Sequence, residues 1–477
     1  MGTLLTRLDL SSLSGFDLES ALPVAGKARP ESSEAVGAIL ERVRTEGDAA
    51  VIALTRDLDG VAIGSVRLAD AEIDASASAV LPELFRALEE AFDRLLAYHR
   101  YEAALDGIPG QTGVHKGGPA QGGAPAWVSG GITVERFVVP VDRAGIYAPG
   151  GRARYPSSVL MCTAAARAAG VSEIALCSPP GPDGRPSPAT LAAARIGGVS
   201  EVYAIGGAQA VAAMAYGTET VKAVDVVAGP GNQYVAEAQR QVSHLVGTPG
   251  AYAGPSEVVV IAGEDASPML VAMDLLVQAE HGPEGLAWLV TWSAETLEEV
   301  STELSRLVAK SPRRSDLEAT LGANGYAVLV AGVDEAMEVA NFIAPEHLEI
   351  MCAGAEEMVP LVRSAGAVFV GERAPAALGD YTAGPNHVLP TARTARFASA
   401  LSARDFVKTV HVVSVEPGGG VEASLAAAVI ASAEGLPGHA GALLARLPVE
   451  AKEKAGPAVS SGPDAKHFAS DRAGSPT

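Results

Sequence analysis

From residue 170 onward one theme repeats: a short β-branched run ending in Gly or Pro, then an Ala-rich segment of helical length. The runs are EIALCSP (173–179), EVYAIGG (201–207), AVDVVAG (223–229), EVVVIAG (257–263), AWLVTWS (287–293), YAVLVAG (326–332) and AVFVG (367–371). Strands that are apolar throughout must be covered on both faces, and a helix between successive strands forces parallel pairing. The expected fold class is therefore α/β, with largely parallel sheets between helical layers. Ligands of such sheets collect at the carboxyl ends of the strands, where the Gly-rich and polar motifs of this chain are expected to lie.

Composition narrows the function. The chain has 477 residues, 48% of them apolar, enough for roughly two to four packed units. Its 35 basic and 56 acidic residues leave a net charge of −21, which argues against nucleic acid or an anionic membrane as partner and favours small molecules. Cys162, Cys177 and Cys352 lie far apart in apolar contexts, so neither a disulfide framework nor a thiolate zinc site is indicated. No apolar stretch reaches the roughly 20 residues of a membrane span, and a cytoplasmic location is expected. Residues 34–105 read as helices broken at RTEGDAA, residues 106–132 as a Gly-rich surface loop, and residues 448–477 as a disordered tail.

The stretch NFIAPEHLEI (341–350) sets Glu346 and His347 directly after Pro345 in an apolar run, a costly placement unless the pair is used. If the segment is a strand, alternation sends Glu346, Leu348, Ile350 and Cys352 to one face and His347, Glu349 and Met351 to the other. Both polar groups can then reach one cleft only from the start of the strand. Among nine histidines, His99, His115, His244, His411 and His467 have no partner motif and read as ordinary core or surface residues. His281, His347, His387 and His439 instead lie at element ends, beside Gly or Pro, with a carboxylate or amide close by.

SPMLVAMDLLVQAEHGPE reads as a helix with Ser267 as N-cap and Pro268 at its first position. Its last turn carries Gln278 and His281 three apart, pointing the same way as two ligands would, or as an ordinary polar helix end would. LGDYTAGPNHVLPT presents Asp380 and His387 on a loop after AVFVG, and AEGLPGH displays Glu434 and His439 at a helix kink. An amide oxygen, two imidazoles and a carboxylate suit zinc without cysteine, although a neutral amide is an unusual ligand.

Together GIYAPGG, YPSSVLM, GGAQAVAAMAYGT, GPGNQYVAEA, AGPSEVVVIA, QAEHGPE, APEHLEI, GDYTAGPNHVLPT and AEGLPGH closely resemble the histidinol dehydrogenases in order and spacing, over roughly residues 3 to 447. The resemblance implies a zinc enzyme that oxidises L-histidinol through L-histidinal to L-histidine with two NAD, the last steps of histidine biosynthesis. It implies zinc ligands Gln278, His281, Asp380 and His439, one zinc per subunit, with the same residues and Ser256, His347, His387 and Glu434 around the substrate. NAD contacts would fall on Tyr147, Gln209 and Asn232. His347 would be the base that takes the hydroxyl proton, and Glu346 would activate the water that adds to the aldehyde.

Architecturally it implies two large domains with incomplete Rossmann-like parallel sheets. One comprises residues 24–146 and 257–400 and carries the zinc and catalytic motifs, and the other, 147–256, is the NAD side. Residues 1–23 would be a dimer arm, and a C-terminal helical piece, 401–447, would contribute to the dimer and the site. A homodimer with a shared active site follows. Gly250, Gln239 and Ala165 depart from the residues usual in the family. A rival reading is an enzyme of the same fold, also using zinc and NAD, that acts on another polar alcohol. That would alter the substrate shell, whereas Glu346, His387 and Glu434 stand here as in the histidinol type.

Overall fold

The structure is a computed structural model that describes residues 4–12, 18–23, 30–108, 126–150, 154–250, 256–280, 282 and 284–453. In chain order the strands are β1 (Thr6–Asp9), β2 (Trp127–Ser129), β3 (Ile132–Pro140), β4 (Arg143–Tyr147), β5 (Glu173–Ser178), β6 (Glu201–Ala204) and β7 (Val226–Ala228). They continue with β8 (Glu257–Ala262), β9 (Leu286–Thr291), β10 (Gly325–Leu329), β11 (His347–Met351), β12 (Ala367–Val370) and β13 (Val407–Val415). Two parallel sheets result, one ordered β1-β10-β9-β8-β11-β12 and the other β6-β5-β4-β7. Each run of the repeated theme supplies a strand.

The chain divides into two compact units. The first, residues 1–113 and 140–407, contains both parallel sheets. Its six-stranded sheet is buried on both faces, as continuous apolar runs require. Val258, Val260, Leu289 and Met351 pack on one side with Val271, Leu275 and Leu304, while Val259, Trp288, Leu348 and Ile350 pack on the other with Val339 and Ile343. Edge strand β1, from the segment expected to be a dimer arm, pairs with β10 of the same chain. The four-stranded sheet packs Tyr147, Cys177 and Tyr203 against helices Pro30–Glu46, Asp48–Asp59 and Gly207–Tyr216. The helical reading of residues 34–105 holds, and the break falls at Gly47, whose φ is 56°.

The second unit, residues 114–139 and 408–477, contains a three-stranded sheet ordered β13-β3-β2 and the helices Val421–Ala433, Pro437–Ala445 and Val449–Glu453. Three expectations change here. Within the expected loop, residues 127–132 belong to an antiparallel hairpin that turns at Gly130–Gly131, and the Trp-Val-Ser and Ile-Thr-Val flanks were its signal. Residues 407–415, expected to be helical, form a strand, consistent with the β-branched run VKTVHVVSV. The tail begins with a helical turn at 449–453, while 454–477 and 109–125 lie outside the described residues.

Candidate active site

Helix Val333–Ile343 ends at Ala344, which takes a left-handed conformation (φ 52°, ψ 58°) unusual for a residue with a Cβ. Pro345 and Glu346 follow, and β11 starts at His347. Glu346 therefore precedes the regular pleat, and alternation does not send it away from His347. Both side chains line one cavity of about 400 Å³, with Glu346 Oε2 3.6 Å from His347 Nδ1. Ser256, Asp380, His387, Ser158 and Asn232 share its wall.

One residue of the neighbouring strand orients both groups. The Glu257 N–H donates to Glu346 Oε2 at 3.1 Å, and the Glu257 carbonyl stands 3.3 Å from His347 Nδ1. Parallel pairing of His347 with Val258 puts that peptide in reach. The carbonyl can only accept, so Nδ1 carries a proton, and in the neutral ring Nε2 is the nitrogen with the lone pair. Nε2 is 3.7 Å from Asp380 Oδ1. Ser256 Oγ donates to Glu346 Oε2 at 2.6 Å and stands 3.4 Å from Gln278 Oε1. Both donors to Glu346 among the described residues fall on Oε2, which leaves Oε1 to receive a proton.

Asp380 caps the C-terminus of the short helix Ala376–Gly379, and its carbonyl accepts from His387 Nδ1 at 2.9 Å. His387 Nε2 is 3.1 Å from Ser158 Oγ at the start of helix Pro156–Ala169. Burial pushes the His387 imidazole below its ordinary range, against the opposing pull of Asp380. Asn386 fastens the loop, donating to the Met161 carbonyl at 2.9 Å and facing the buried His99. Ser256, Gln278, Glu346, His347, Asp380 and His387 thus form one connected network.

The remaining expected residues fall elsewhere. Helix Pro268–Ala279 stops at Ala279, two residues before His281, which lies outside the described residues. Ser267 is its N-cap by position but makes no side-chain cap bond. Glu434 and His439 are exposed in the second unit, at the turn between Val421–Ala433 and Pro437–Ala445. Of the three expected cofactor contacts, Asn232 alone lines the cavity, and its Oδ1 caps helix Gln233–Val242 by accepting from Tyr234 and Val235 N–H. Tyr147 and Gln209 are buried, with the Tyr147 hydroxyl accepting from Gly207 N–H and the Gln209 amide donating to Asp59.

Among the departures, Gly250 lines the cavity, Gln239 donates to the Gly229 carbonyl at 3.2 Å, and Ala165 is core. Gly229 has φ +123°, and a Cβ there would lie 2.1 Å from the Tyr147 carbonyl oxygen. Only glycine allows β7 to end so close to β4.

One placement rule needs correction. The four-stranded sheet meets the cavity at the carboxyl ends of its strands, through Pro149 and Pro230–Asn232. The six-stranded sheet meets it at the amino ends of β8 and β11, through Ser256, Glu346 and His347. Sequence reasoning also passed over Ser158 and Glu257. The YPSSVLM motif held a signal for Ser158, but Glu257 acts mainly through its main chain, which no side-chain pattern reveals.

No group of three or more His, Cys, Asp or Glu side chains suited to a metal is assembled among the described residues. Gln278 and Asp380 nevertheless fit as part of a nitrogen and oxygen set. Gln278 is 3% exposed, and among the described residues its Nε2 has no hydrogen-bond partner and its Oε1 has only a long contact to Ser256. A buried amide so poorly satisfied suits a ligand better than a structural role.

The comparisons with known proteins agree with one another. A family model described as histidinol dehydrogenase matches residues 25–447. The histidinol dehydrogenase of Chlorobaculum tepidum is 43% identical over 88% of this chain and 94% of its own, and that of Gluconobacter oxydans 41% identical over 92% and 99%. A crystal structure of histidinol dehydrogenase from Elizabethkingia anophelis superposes with TM-score 0.84 at 30% identity, covering 94% of this chain and 98% of its own. With sequence, fold and length in agreement, the chain belongs to the histidinol dehydrogenase family, oxidoreductases that perform the final steps of histidine biosynthesis.

Proposed function

We propose that this chain oxidises L-histidinol through L-histidinal to L-histidine in two successive NAD-dependent steps, with His347 and Glu346 dividing the proton chemistry. The observation that carries the division is the shared Glu257 peptide, which leaves His347 Nε2 and Glu346 Oε1 as the two proton acceptors. His347 Nε2 takes the hydroxyl proton as hydride leaves the carbinol carbon. Glu346 Oε1 takes a proton from the water as its oxygen adds to the aldehyde carbon, leaving the hydrate anion, and the second hydride departs from that carbon as His347 Nε2 takes the remaining hydroxyl proton to leave the carboxylate. NAD, when bound, accepts the hydride in each step.

Gln278, His281, Asp380 and His439 would hold zinc. Zinc when bound supplies a Lewis acid that fixes the nitrogens of the substrate. Ser256, His387 and Glu434 would orient the polar atoms of the substrate. Asn232, at the positive end of its helix, would serve the cofactor together with Tyr147 and Gln209.

The working form in this reading is a cytoplasmic homodimer with a shared site, in which the C-terminal piece bearing Glu434 and His439 crosses to a second copy. Its exposed Val412, Val413, Val415, Val429 and Ile430 supply the apolar surface that a second copy would cover. No helix among the described residues is long and apolar enough to cross a membrane.

The test is NADH yield from L-histidinol and related amino alcohols, before and after chelation. Two NADH per histidinol, lost to the chelator and restored by zinc, is expected; folded, zinc-loaded protein that leaves histidinol untouched overturns the reading. Mixing His347→Gln with His439→Ala subunits should restore activity if the site is shared, and no restoration would place it within one subunit.

A further inference from the structure

Glu349 sits two residues beyond His347 on the same face of β11 and is wholly buried. Its Oε1 accepts from the Ala376 N–H at 2.6 Å. Ala376 opens the short helix Ala376–Gly379, and its carbonyl accepts the Asp380 N–H at 3.1 Å. A continuous path therefore runs from the Glu349 carboxyl through one helical turn to the backbone of Asp380.

On its other side Glu349 Oε2 is buried with no donor among the described residues, and the neighbouring carboxyl of Asp274, in helix Pro268–Ala279, can meet it only by sharing a hydrogen bond. Asp274 stands one turn before Gln278, on the same face of that helix. Two carboxylates can share such a bond only if one is protonated. Burial and the nearby Asp274 charge push the Glu349 carboxyl upward, which fits that requirement. Such a bond joins three elements: β11, which delivers His347, the helix that delivers Gln278, and the short helix that delivers Asp380.

We infer that Glu349 and Asp274 are positioning residues, a carboxyl clamp that sets Asp380 against Gln278 and so fixes the spacing of the metal ligands. Neither residue is a ligand, and neither touches substrate in this assignment. The inference rests on the reading that Gln278 and Asp380 hold zinc. Packing alone would not select two acids for this place, because an apolar pair would fill it without the cost of burying carboxyl groups.

The test measures zinc affinity of the full-length protein by competition with a chromophoric chelator, alongside the Tm of the metal-free form. Glu349→Ala should weaken zinc binding by about 10- to 100-fold, the range for groups that orient metal ligands. Glu349→Gln should restore affinity to within a few-fold of the parent, since its amide accepts from Ala376 and donates to Asp274. Asp274→Ala, in a half-buried helix position, should weaken zinc binding in the same direction and covers the case in which Glu349→Ala does not fold.

Unchanged zinc affinity in Glu349→Ala or Asp274→Ala, or equal loss in Glu349→Gln and Glu349→Ala, overturns the inference. So does a fall in metal-free Tm with no change in affinity, which is the signature of packing alone. Absence of zinc binding by the parent protein would instead overturn the proposed ligand set.

Discussion

The two sheets meet the cavity from opposite ends of their strands, and the difference separates two kinds of wall. The four-stranded sheet presents carboxyl ends: Pro149 after β4 and Pro230–Asn232 after β7, with glycine where main chain must approach main chain. That wall offers backbone and a helix N-terminus, which suit an extended ligand bound mostly by shape and weak dipoles. The six-stranded sheet presents amino ends, where Ser256, Glu257, Glu346 and His347 interlock through hydrogen bonds. Polar side chains at that end are entered through a left-handed Ala344 and Pro345, and the neighbouring strand holds them rigidly. In the proposed function one wall binds and the other does the chemistry.

Substitutions on the chemical wall should give the largest effects. His347→Gln should lower the rate of both oxidation steps by about 10²- to 10⁴-fold, the contribution of a positioned base. Glu346→Gln should slow oxidation of L-histidinal by a similar factor and that of L-histidinol far less. Stopped-flow NADH formation from each substrate distinguishes the two, and equal loss in both steps for both variants would abolish the division between them.

A smaller effect is expected on the binding wall. Asn232→Ala removes the cap of helix Gln233–Val242, worth about 1 kcal/mol, and should raise KM for NAD several-fold with kcat nearly unchanged. A collapse of kcat instead would show that this wall takes part in the chemistry.

The smallest effect concerns pH. Burial, with Glu346 beside it, pushes the Glu257 carboxyl up to about 8 from an ordinary 4.5. Between those values the folded state holds a proton that the unfolded chain releases, so this group favours folding most on the acid side. Its contribution is lost as pH rises through about 8. Thermal unfolding between pH 5 and 8.5 should therefore show a falling Tm that flattens in Glu257→Gln. An unaltered slope in that variant would exclude Glu257 as its source.

Much of the architecture was legible. Apolar runs separated by Ala-rich segments can satisfy their backbone and cover both faces only as parallel strands between helices, and those strands are present. The hairpin at 127–132 was hidden because glycine-rich flanks read as loop, although Trp127 and Val128 beside Gly130–Gly131 carried the opposite signal. The site was legible as residue types and motif order: Glu346, His347, Asp380 and His387 were all expected, and all line one cavity. Glu349 was visible only as a member of an alternating face, because nothing in HLEIM says that an acid four residues before Gln278 lies opposite it.

By itself, then, the sequence determined the α/β class, the identity of the polar groups and the family, since these depend on periodicity, residue chemistry and motif order along the chain. Only the tertiary structure decided that Glu257 serves through its peptide, that Glu346 and His347 face one cavity despite the pleat, and that β8 and β11 present their amino ends. Those outcomes depend on strand register and on contacts between residues some 90 positions apart, such as Glu257 with Glu346 and His347. Local propensity carries no information about them.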